Sequence, residues 1–477
     1  MKRSISILLI AALTAATVFC GGCMDDAAPA SSTPEFTLAP IEGPLWELIP
    51  PASDIFEYVQ QPTEPVVANT DLPPDWDGVR DAALALLYND VDSVDVSHCN
   101  LPVTQETVDY LYYKILEEPW FLRLASDGSL TYEYLDGRIT RLLRKSPDKA
   151  KEKRMYYDAM DAMTVLLYGL RDDTGLTMAQ KLLLLHDRLV AFCRFDEDAN
   201  ITDTLPDEDF SAYGPLVLRS GVCNGYANAM LWMMRSLGCE VEYASSVNMA
   251  HAWVNATPDG STYILDASHD DYLYMLPGSV YHDNFLISSQ KYADNHPGVT
   301  PDWDMSFTDT RYENEFWNRT LAQVLYVNGY LFFVDKDTGD LIARSLSGKE
   351  TPILNVQQAY TDFGYPYGAA AKITSVGYEI LYTQPRSVCA YNPLTGDVRT
   401  VYTAPDSLFR SSDEVLLGLD RIAGKVRVYP SNSPNDYPTA NMARYGEFTC
   451  CTHPNAVPYT VSDGSEKLAC PDCMWIV

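Results

Sequence analysis

The stretch that decides the fold is SGVCNGYA, residues 220–227, followed by AHAWVNA around His251 and YILDAS around Asp266. Cysteine, histidine and aspartate are the residue types that supply a thiolate, accept and return its proton, and orient the imidazole. Three such residues in a long chain mean little unless the local setting of each one supports the chemistry.

Cys223 stands at the predicted start of a helix. The next run, NGYANAMLWMMRSLG, has apolar residues at helical spacing, and Gly238 occupies the position of a left-handed C-terminal cap. Amides in a first helical turn lack partners and the helix dipole favours a thiolate, so the same amides can stabilise an oxyanion. The alternative is a buried structural cysteine, the commoner role of a lone cysteine. The flanking glycines and the downstream histidine and aspartate favour a nucleophile.

His251 and Asp266 lie on a predicted β-hairpin. HAWVNA and STYILDAS flank the turn TPDG, and symmetry about the Pro258–Asp259 bond pairs His251 directly with Asp266. We expect the carboxylate to fix the tautomer and orientation of the imidazole, whose other nitrogen then faces the thiol. The alternative is an ordinary exposed hairpin that carries one histidine.

The succession GVCNGYA, AHAW and ILDAS resembles the transglutaminase-like superfamily, a papain-like cysteine acyl-transfer fold. The segment 178–197 resembles the helix that precedes the nucleophile in bacterial members. The segment 281–296 resembles the stretch that closes the domain. The likeness spans about 130 residues, and three motifs in this order are more specific than any one of them.

The resemblance implies that Cys223 is the nucleophile, His251 the general base and acid, and Asp266 the orienting carboxylate. No acidic loop of calcium-ligand spacing stands out in the sequence, and we expect no cofactor and no metal at this site. One pair departs from the family pattern: members often carry Thr-Trp shortly after the aspartate, and this chain has Ser268-His269. The departure concerns the wall of the pocket rather than the triad.

The 477 residues suggest several domains. The resemblance implies an α+β fold, with the cysteine-bearing helix packed on an antiparallel sheet. The predicted organisation is a lipoprotein signal peptide (1–23), a flexible tether (24–72), a mostly helical N-terminal region (73–177), a transglutaminase-like catalytic domain (178–303), a β-hairpin-rich domain (304–445) and a Cys-rich C-terminal tail (446–477).

The first residues, MKRSISILLIAALTAATVFCGGC, combine a basic start, a short apolar run and small residues before Cys23. This pattern is typical of a secretion signal rather than a membrane span. Gly21 and Gly22 further indicate a bacterial lipoprotein site with Cys23 as the lipid-bearing N-terminus; plain secretion is the alternative. We therefore expect a membrane-anchored protein on the extracellular side.

The charge balance bears on partners. The chain has 34 basic and 65 acidic residues, a formal net charge of −31. This sign repels phosphate backbones, so nucleic acid is not an expected partner. Proteins or cell-wall peptides are the expected substrates.

The segments on either side of the predicted catalytic domain have their own secondary-structure patterns. Residues 77–90, 104–118 and 155–170 have the spacing of amphipathic helices, and WFLRLA and LTYEYL suggest a hairpin around Asp127-Gly128. The basic run from 138 to 154 is interpreted as a solvated helix surface, with a substrate-contacting face as the alternative. After residue 303, hairpins with turns at Gly339, Gly396 and Gly424 predict a sheet-rich domain packed on the catalytic one. An incomplete propeller is the less favoured alternative.

Four of the eleven cysteines, Cys450, Cys451, Cys470 and Cys473, cluster near the C-terminus, with His453 beside the first pair. Outside the cell such a cluster favours one or two disulfides. The alternative is a zinc ribbon that uses the CPDC knuckle and a partner from the first pair. Disulfides are favoured because adjacent cysteines share a tetrahedral site poorly.

The leading functional hypothesis is an exported cysteine acyltransferase or peptidase acting on glutamine carboxamides or peptide bonds of proteins or cell-wall peptides. Hydrolysis and crosslinking remain open. The alternative is an inactive cell-envelope binding or scaffold module that keeps the fold. A disulfide-handling role for Cys470 and Cys473 leaves the Cys-His-Asp pattern unexplained.

Overall fold

The computed structural model describes residues 73–88, 91–111, 130–144, 149–202, 204–271, 275–365, 370–434, 437, 439–461 and 463–476. The predicted signal peptide (1–23), tether (24–72) and Asp127-Gly128 turn lie outside these residues. Within the described part of the chain, no helix is both long and apolar enough to cross a membrane.

Helices are spread along the whole chain. The α-helices are α1 (Trp76–Tyr88), α2 (Gln105–Asp109), α3 (Lys149–Leu166), α4 (Met178–Phe192), α5 (Glu197–Thr202), α6 (Cys223–Ser236), α7 (Ala267–Asp270), α8 (Ser289–Asn295) and α9 (Gln358–Thr361). Short 3₁₀ segments are Ser97–Cys99, Asp207–Phe210, Phe316–Arg319, Asp406–Leu408 and Thr439–Ala443, and Gly214–Leu218 is a π-helical turn.

All the described strand pairs are antiparallel. The first two sheets are β1 (Ser93–Asp95), β2 (Leu130–Leu135) and β3 (Arg138–Arg144) in the order β1-β3-β2, and β4 (Glu240–Ser246), β5 (His251–Thr257) and β6 (Tyr263–Leu265) in the order β4-β5-β6.

The remaining sheets follow chain order. They are β7 (Leu325–Val327), β8 (Tyr330–Val334), β9 (Asp340–Ser345) and β10 (Glu350–Asn355); β11 (Ile373–Val376), β12 (Glu379–Gln384), β13 (Ser387–Tyr391) and β14 (Val398–Thr403); β15 (Leu416–Ile422), β16 (Lys425–Ser431) and β17 (Gly446–Thr449); and β18 (Val457–Thr460), β19 (Glu466–Cys470) and β20 (Trp475–Ile476). Helices combined with antiparallel sheets confirm the α+β class.

The N-terminal part differs from its prediction. α1 and α3 confirm two of the expected helices, but the described hairpin joins β2 to β3 through Asp136-Gly137, whose φ angles of 50° and 75° suit a two-residue type I′ turn. The first seven residues of the basic run therefore do not form a helix surface: Arg138–Arg144 is a strand. Ile139 and Leu142 are both buried although they are three residues apart, because a β-bulge at Thr140 shifts the register between them.

α6 folds as its sequence predicts. Tyr226, Met230 and Met233 are buried in the core, and Gly238 ends the helix at φ 80°. The amide of Cys239 donates to the carbonyl of Met234 at 3.1 Å, which is the outer hydrogen bond of a Schellman motif. This helix packs on β4 and β5, which brings its first turn to the edge of the sheet.

The core around α6 does not stop at residue 303. Buried side chains run continuously from α3 through α4, α6 and the β4-β5-β6 sheet to Phe333 on β8 and Ile342 on β9. The predicted packing of the sheet-rich part against the cysteine-bearing part is therefore confirmed. The turns at Gly339, Gly396 and Gly424 also lie between paired strands, as expected.

Candidate active site

The first turn of α6 is held against the preceding loop by two glycines. A Cβ on Gly225 would lie 2.4 Å from the carbonyl oxygen of Asp209, and one on Gly221 would lie 2.7 Å from Pro215 Cγ. The amide of Val222 donates to the same Asp209 carbonyl at 3.1 Å. This close packing fixes where the helix begins and places Cys223 in its first turn, as predicted.

The helix start leaves amides available for chemistry. Val222 is the N-cap, with an extended backbone, and its side chain has no oxygen that could accept from the first turn. The amides of Cys223 and Asn224 have no carbonyl four residues earlier within the helix. Together with the helix dipole, they form a site that favours negative charge.

The predicted pairing of His251 with Asp266 in the hairpin ladder is wrong. The register pairs Val254 with Leu265, so the hairpin is centred one residue later than expected, beside Gly260 at φ 89°. The ladder ends at Leu265, and Asp266 instead caps α7. His251 pairs with Ser246 on β4.

His251 and Asp266 nevertheless meet. The Nε2 of His251 lies 2.8 Å from Oδ2 of Asp266. The contact forms because the chain turns into α7 at Asp266 and carries the carboxylate back towards the first residue of β5. The expected contact is therefore present, although the reasoning that led to it is not correct.

Asp266 is 1% exposed and fully partnered. Its Oδ1 accepts from the hydroxyl of Ser268 at 2.8 Å and the amide of His269 at 3.2 Å. Its Oδ2 accepts from the hydroxyl of Tyr292 at 2.8 Å and contacts Nδ1 of His269 at 2.7 Å. Burial opposes ionisation, but the two imidazoles outweigh it and hold the pKa of Asp266 well below its usual range.

Cys223 lies close enough to His251 to affect its pKa, and its Sγ is 3.6 Å from Oδ1 of Asn224. Burial alone would lower the pKa of His251; the charge and hydrogen bond of Asp266, with a smaller contribution from Cys223, raise it from 6.5 to about 10. The imidazole is therefore positively charged at neutral pH.

A second histidine lies against the first, and the sequence reasoning missed its part in the site. The rings of His269 and His251 stack with centroids 4.0 Å apart and planes 18° apart. Nε2 of His296 lies 3.0 Å from Nδ1 of His269, and its Nδ1 lies 2.7 Å from the carbonyl of Tyr292. Burial and the nearby His269 lower the pKa of His296, which favours the neutral form of this outer ring.

A separate charged network lies behind the site. Asp187 on α4 is fully buried and accepts from Nδ1 of His186 and Nε2 of His282, both at 2.9 Å, and from the amide of Val324 at 2.6 Å. Burial opposes the charge of His186, but its carboxylate partners, Asp187 and Asp270, outweigh this and raise its pKa to about 9. This network connects α4 to Val324, which directly precedes β7 in the β7–β10 sheet (the first β-meander).

Two groups of possible metal ligands occur in this part of the protein: His251, Asp266 and His269, and His186, Asp187 and His282. In each group a carboxylate already joins two imidazoles by contacts of 2.7 to 2.9 Å. Hydrogen bonding alone accounts for these clusters.

No protein-family model matches the sequence, and no curated protein matches it. A transglutaminase crystal structure is similar to part of the chain, with 10% identity, coverage of 29% of this chain and 44% of that chain, and a TM-score of 0.21. The match is faint. The N-terminal domain of Nup159 gives 9% identity, coverage of 43% of this chain and 45% of that chain, and a TM-score of 0.18. This chain spans less than half of either structure, and such scores carry no argument about its chemistry.

Proposed function

We propose that this protein is an exported cysteine acyltransferase or peptidase, acting through Cys223, His251 and Asp266. The observation that supports it best is that His251 lies 2.8 Å from the carboxylate of Asp266 and close enough to Cys223, at the start of α6, for that residue to affect its pKa. Nucleophilic catalysis by cysteine needs this order of groups. The transglutaminase-like motifs of the sequence, with their papain-like fold, agree with the same chemistry.

The proposed reaction begins when the thiolate of Cys223 attacks the carbonyl carbon of a glutamine side chain or peptide bond. A C–S bond forms, and the carbonyl oxygen takes up negative charge near the amides of the first turn of α6. The C–N bond then breaks while His251 donates its proton to the leaving nitrogen, which departs as ammonia or an amine. Asp266 keeps the imidazole oriented throughout.

The resulting thioester is released by a second nucleophile. Water gives hydrolysis, and a lysine amine gives a crosslink. His251 takes the proton of this nucleophile as the new bond forms, and the C–S bond breaks to regenerate the thiolate. Asp266 stays ionised in both half-reactions because its hydrogen bonds stabilise the charged form.

Burial of the reacting groups bears on substrate class. Cys223 is 8% exposed, and the side chain of His251 is 9% exposed. A carbonyl can reach them only on a slender group, such as a glutamine side chain or an extended peptide. This supports protein or cell-wall peptide substrates over bulky ones.

The proposed location is the outer side of the cell membrane, with a lipid anchor on Cys23. The basic start, apolar run and glycines before this cysteine support it. A net charge of −31 makes nucleic acid an unsuitable substrate there.

The test uses the purified full-length chain with casein as glutamine donor, and with cell-wall peptides, each with and without a primary-amine probe. Ammonia release, probe incorporation and peptide cleavage are followed separately, because they distinguish deamidation, crosslinking and proteolysis. We expect at least one product with the wild type and none with Cys223→Ala or His251→Gln.

Cys239→Ala is the matched control, since Cys239 is similarly buried but lies at the far end of the same helix unit. It should retain activity. Product formation that persists in Cys223→Ala contradicts the proposal. So does a wild-type protein that forms no product and in which iodoacetamide at mildly acidic pH labels Cys223 no faster than Cys239, which would favour a scaffold.

A further inference from the structure

We propose that Cys451, His453, Cys470 and Cys473 bind one structural zinc ion. The three Sγ atoms and a ring nitrogen of His453 all lie within 4.8 Å of one another. Three thiolates and one imidazole are a common donor set for structural zinc, and four protein ligands close the coordination shell. The site is independent of the proposed acyl-transfer chemistry.

The spacing of the ligand atoms suits a tetrahedron. Sγ of Cys451 lies 3.7 Å from Sγ of Cys470, and Sγ of Cys473 lies 3.2 Å from Nδ1 of His453. With zinc–sulfur bonds of about 2.3 Å, two sulfurs of a tetrahedral site are about 3.8 Å apart. The side chains are thus arranged around a common centre.

The backbone around the cluster has the form of two metal-binding knuckles. The amide of His453 donates to Sγ of Cys451 at 3.3 Å, which is the kind of hydrogen bond that supports a thiolate ligand. His453 at φ 58° and Met474 at φ 50° are both left-handed, so each short ligand motif turns sharply back on itself. These turns aim CTH and CPDC at the same point.

The position of His453 is enforced by a glycine in the neighbouring sheet. A Cβ on Gly424 would lie 3.0 Å from Nε2 of His453 and 2.2 Å from the carbonyl of Cys451. The amides of Cys450 and Cys451 both donate to the carbonyl of Gly424, at 2.8 and 3.0 Å. The turn between β15 and β16 therefore packs directly against Cys451–His453 and fixes their position near Cys470–Cys473.

The sequence favoured disulfides here, and the structure forms none among the nine described cysteines. Cys451, Cys470 and Cys473 are buried together, while Cys450, the fourth cysteine of the cluster, is not part of the ligand group. Sequence reasoning discounted zinc because adjacent cysteines share a tetrahedral site poorly. That objection disappears once His453 replaces Cys450 as the fourth ligand.

The ion would fasten the C-terminal strands to the body of the protein. The guanidinium of Arg421 donates to the carbonyl of Cys473, and the amide of Gly377 donates to the carbonyl of Asp472 at 2.7 Å. The indole of Trp475, two residues further on, lies 5.9 Å from the ring of Phe192 at the end of α4. Zinc would thus stabilise the region where the β15–β17 sheet, the C-terminal β18–β20 sheet and α4 meet.

The test measures zinc in the purified full-length chain by elemental analysis, together with a thiol count on the denatured, unreduced protein. We expect about one zinc per chain, with the three cysteine ligands recovered as free thiols after the metal is removed. Cys473→Ser and His453→Ala should lose the zinc. His453→Cys should keep it, since it supplies a fourth thiolate.

Cys450→Ser is the matched control and should bind zinc like the wild type. If the ligand variants do not fold, titration of wild-type thiols with a mercurial while released zinc is followed with a dye gives the same answer. A chain that binds no zinc, or that carries a disulfide between Cys451 and Cys470, overturns the proposal. Cys223→Ala should retain the metal, so failure of the acyl-transfer proposal is separable from failure here.

Discussion

Replacing Asp266 with asparagine removes the charge that keeps His251 protonated while conserving the size of the side chain. The pKa of His251 is raised from 6.5 to about 10. Burial opposes this rise, and the charge and the hydrogen bond of Asp266 contribute most to it. At 1.36 kcal/mol per pKa unit, this rise in the pKa of His251 corresponds to at most about 5 kcal/mol of stabilisation of the imidazolium. Cys223 supplies part of it, so we expect the pKa to fall by roughly two to three units.

The assay follows two quantities over a pH series: the NMR chemical shift of the His251 ring protons, and the rate at which iodoacetamide alkylates Cys223. In the wild type the imidazolium persists through neutral pH. In Asp266→Asn we expect the ring to lose its proton roughly two to three pH units earlier, at about pH 7 to 8. Since each pKa unit is a factor of ten, the ratio of charged to neutral His251 at about pH 9 should fall by roughly 100- to 1000-fold, and the alkylation profile of Cys223 should change over the same pH range.

Ser268→Ala is the matched control. It removes one hydrogen bond of 2.8 Å to Oδ1 of Asp266 and leaves the carboxylate and its contact with His251 in place. The pKa of His251 should change little. If Asp266→Asn leaves both the titration of His251 and the alkylation profile of Cys223 as in the wild type, the carboxylate does not control the imidazole and the reasoning fails.

Two further predictions concern stability. Gly225→Ala places a methyl group 2.4 Å from the carbonyl of Asp209, so the start of α6 must shift; thermal and denaturant unfolding should show a loss of about 1–3 kcal/mol. Asp187→Ala leaves a buried imidazolium without its partner and should cost about 3–5 kcal/mol. Because the pKa of His186 is raised on folding, its contribution is complete below pH 6.5 and disappears as the pH rises to about 9. The wild type should lose stability over this range, and Asp187→Ala should lose less.

Two further substitutions serve as controls for Gly225→Ala and Asp187→Ala. Asn228→Ala on α6 removes only a 3.4 Å hydrogen bond to the carbonyl of Phe210, and Asp294→Ala removes an exposed carboxylate on α8. Both should unfold nearly as the wild type does. If Gly225→Ala is as stable as Asn228→Ala, the contact with Asp209 does not constrain the helix. A pH profile for Asp187→Ala that parallels the wild type would contradict the role assigned to His186.

The helix that begins at Cys223 was predictable because its signals are local. Apolar spacing, the glycines before the helix and Gly238 after it lie within one short segment, and each specifies the same helix. The hairpin register was not predictable to the residue, because the turn is centred beside Gly260 rather than at Pro258–Asp259. Likewise the dipeptide Asp-Gly occurs at both 127–128 and 136–137, and the sequence alone did not show which of them joins described strands.

Other features of the two sites depend on distant parts of the chain. His269 was noted only as a departure from a family pattern, and its stacking on His251 depends on how α7 leaves the sheet. Tyr292 reaches Asp266 from α8, and no spacing rule connects the two positions. In the C-terminal cluster, the role of His453 becomes visible only once the segment that follows β17 and the segment that follows β19 are brought together.

Two features limit which fragment of the gene could encode a folded protein. The amide of Val324 donates to buried Asp187, and the shared core reaches Phe333. A gene fragment that encodes the cysteine, histidine and aspartate but ends near residue 303 would leave that carboxylate short of a donor and uncover apolar side chains. The segment that holds these three residues would then lack part of its core, so a recombinant gene would have to carry the β7–β10 sheet with it.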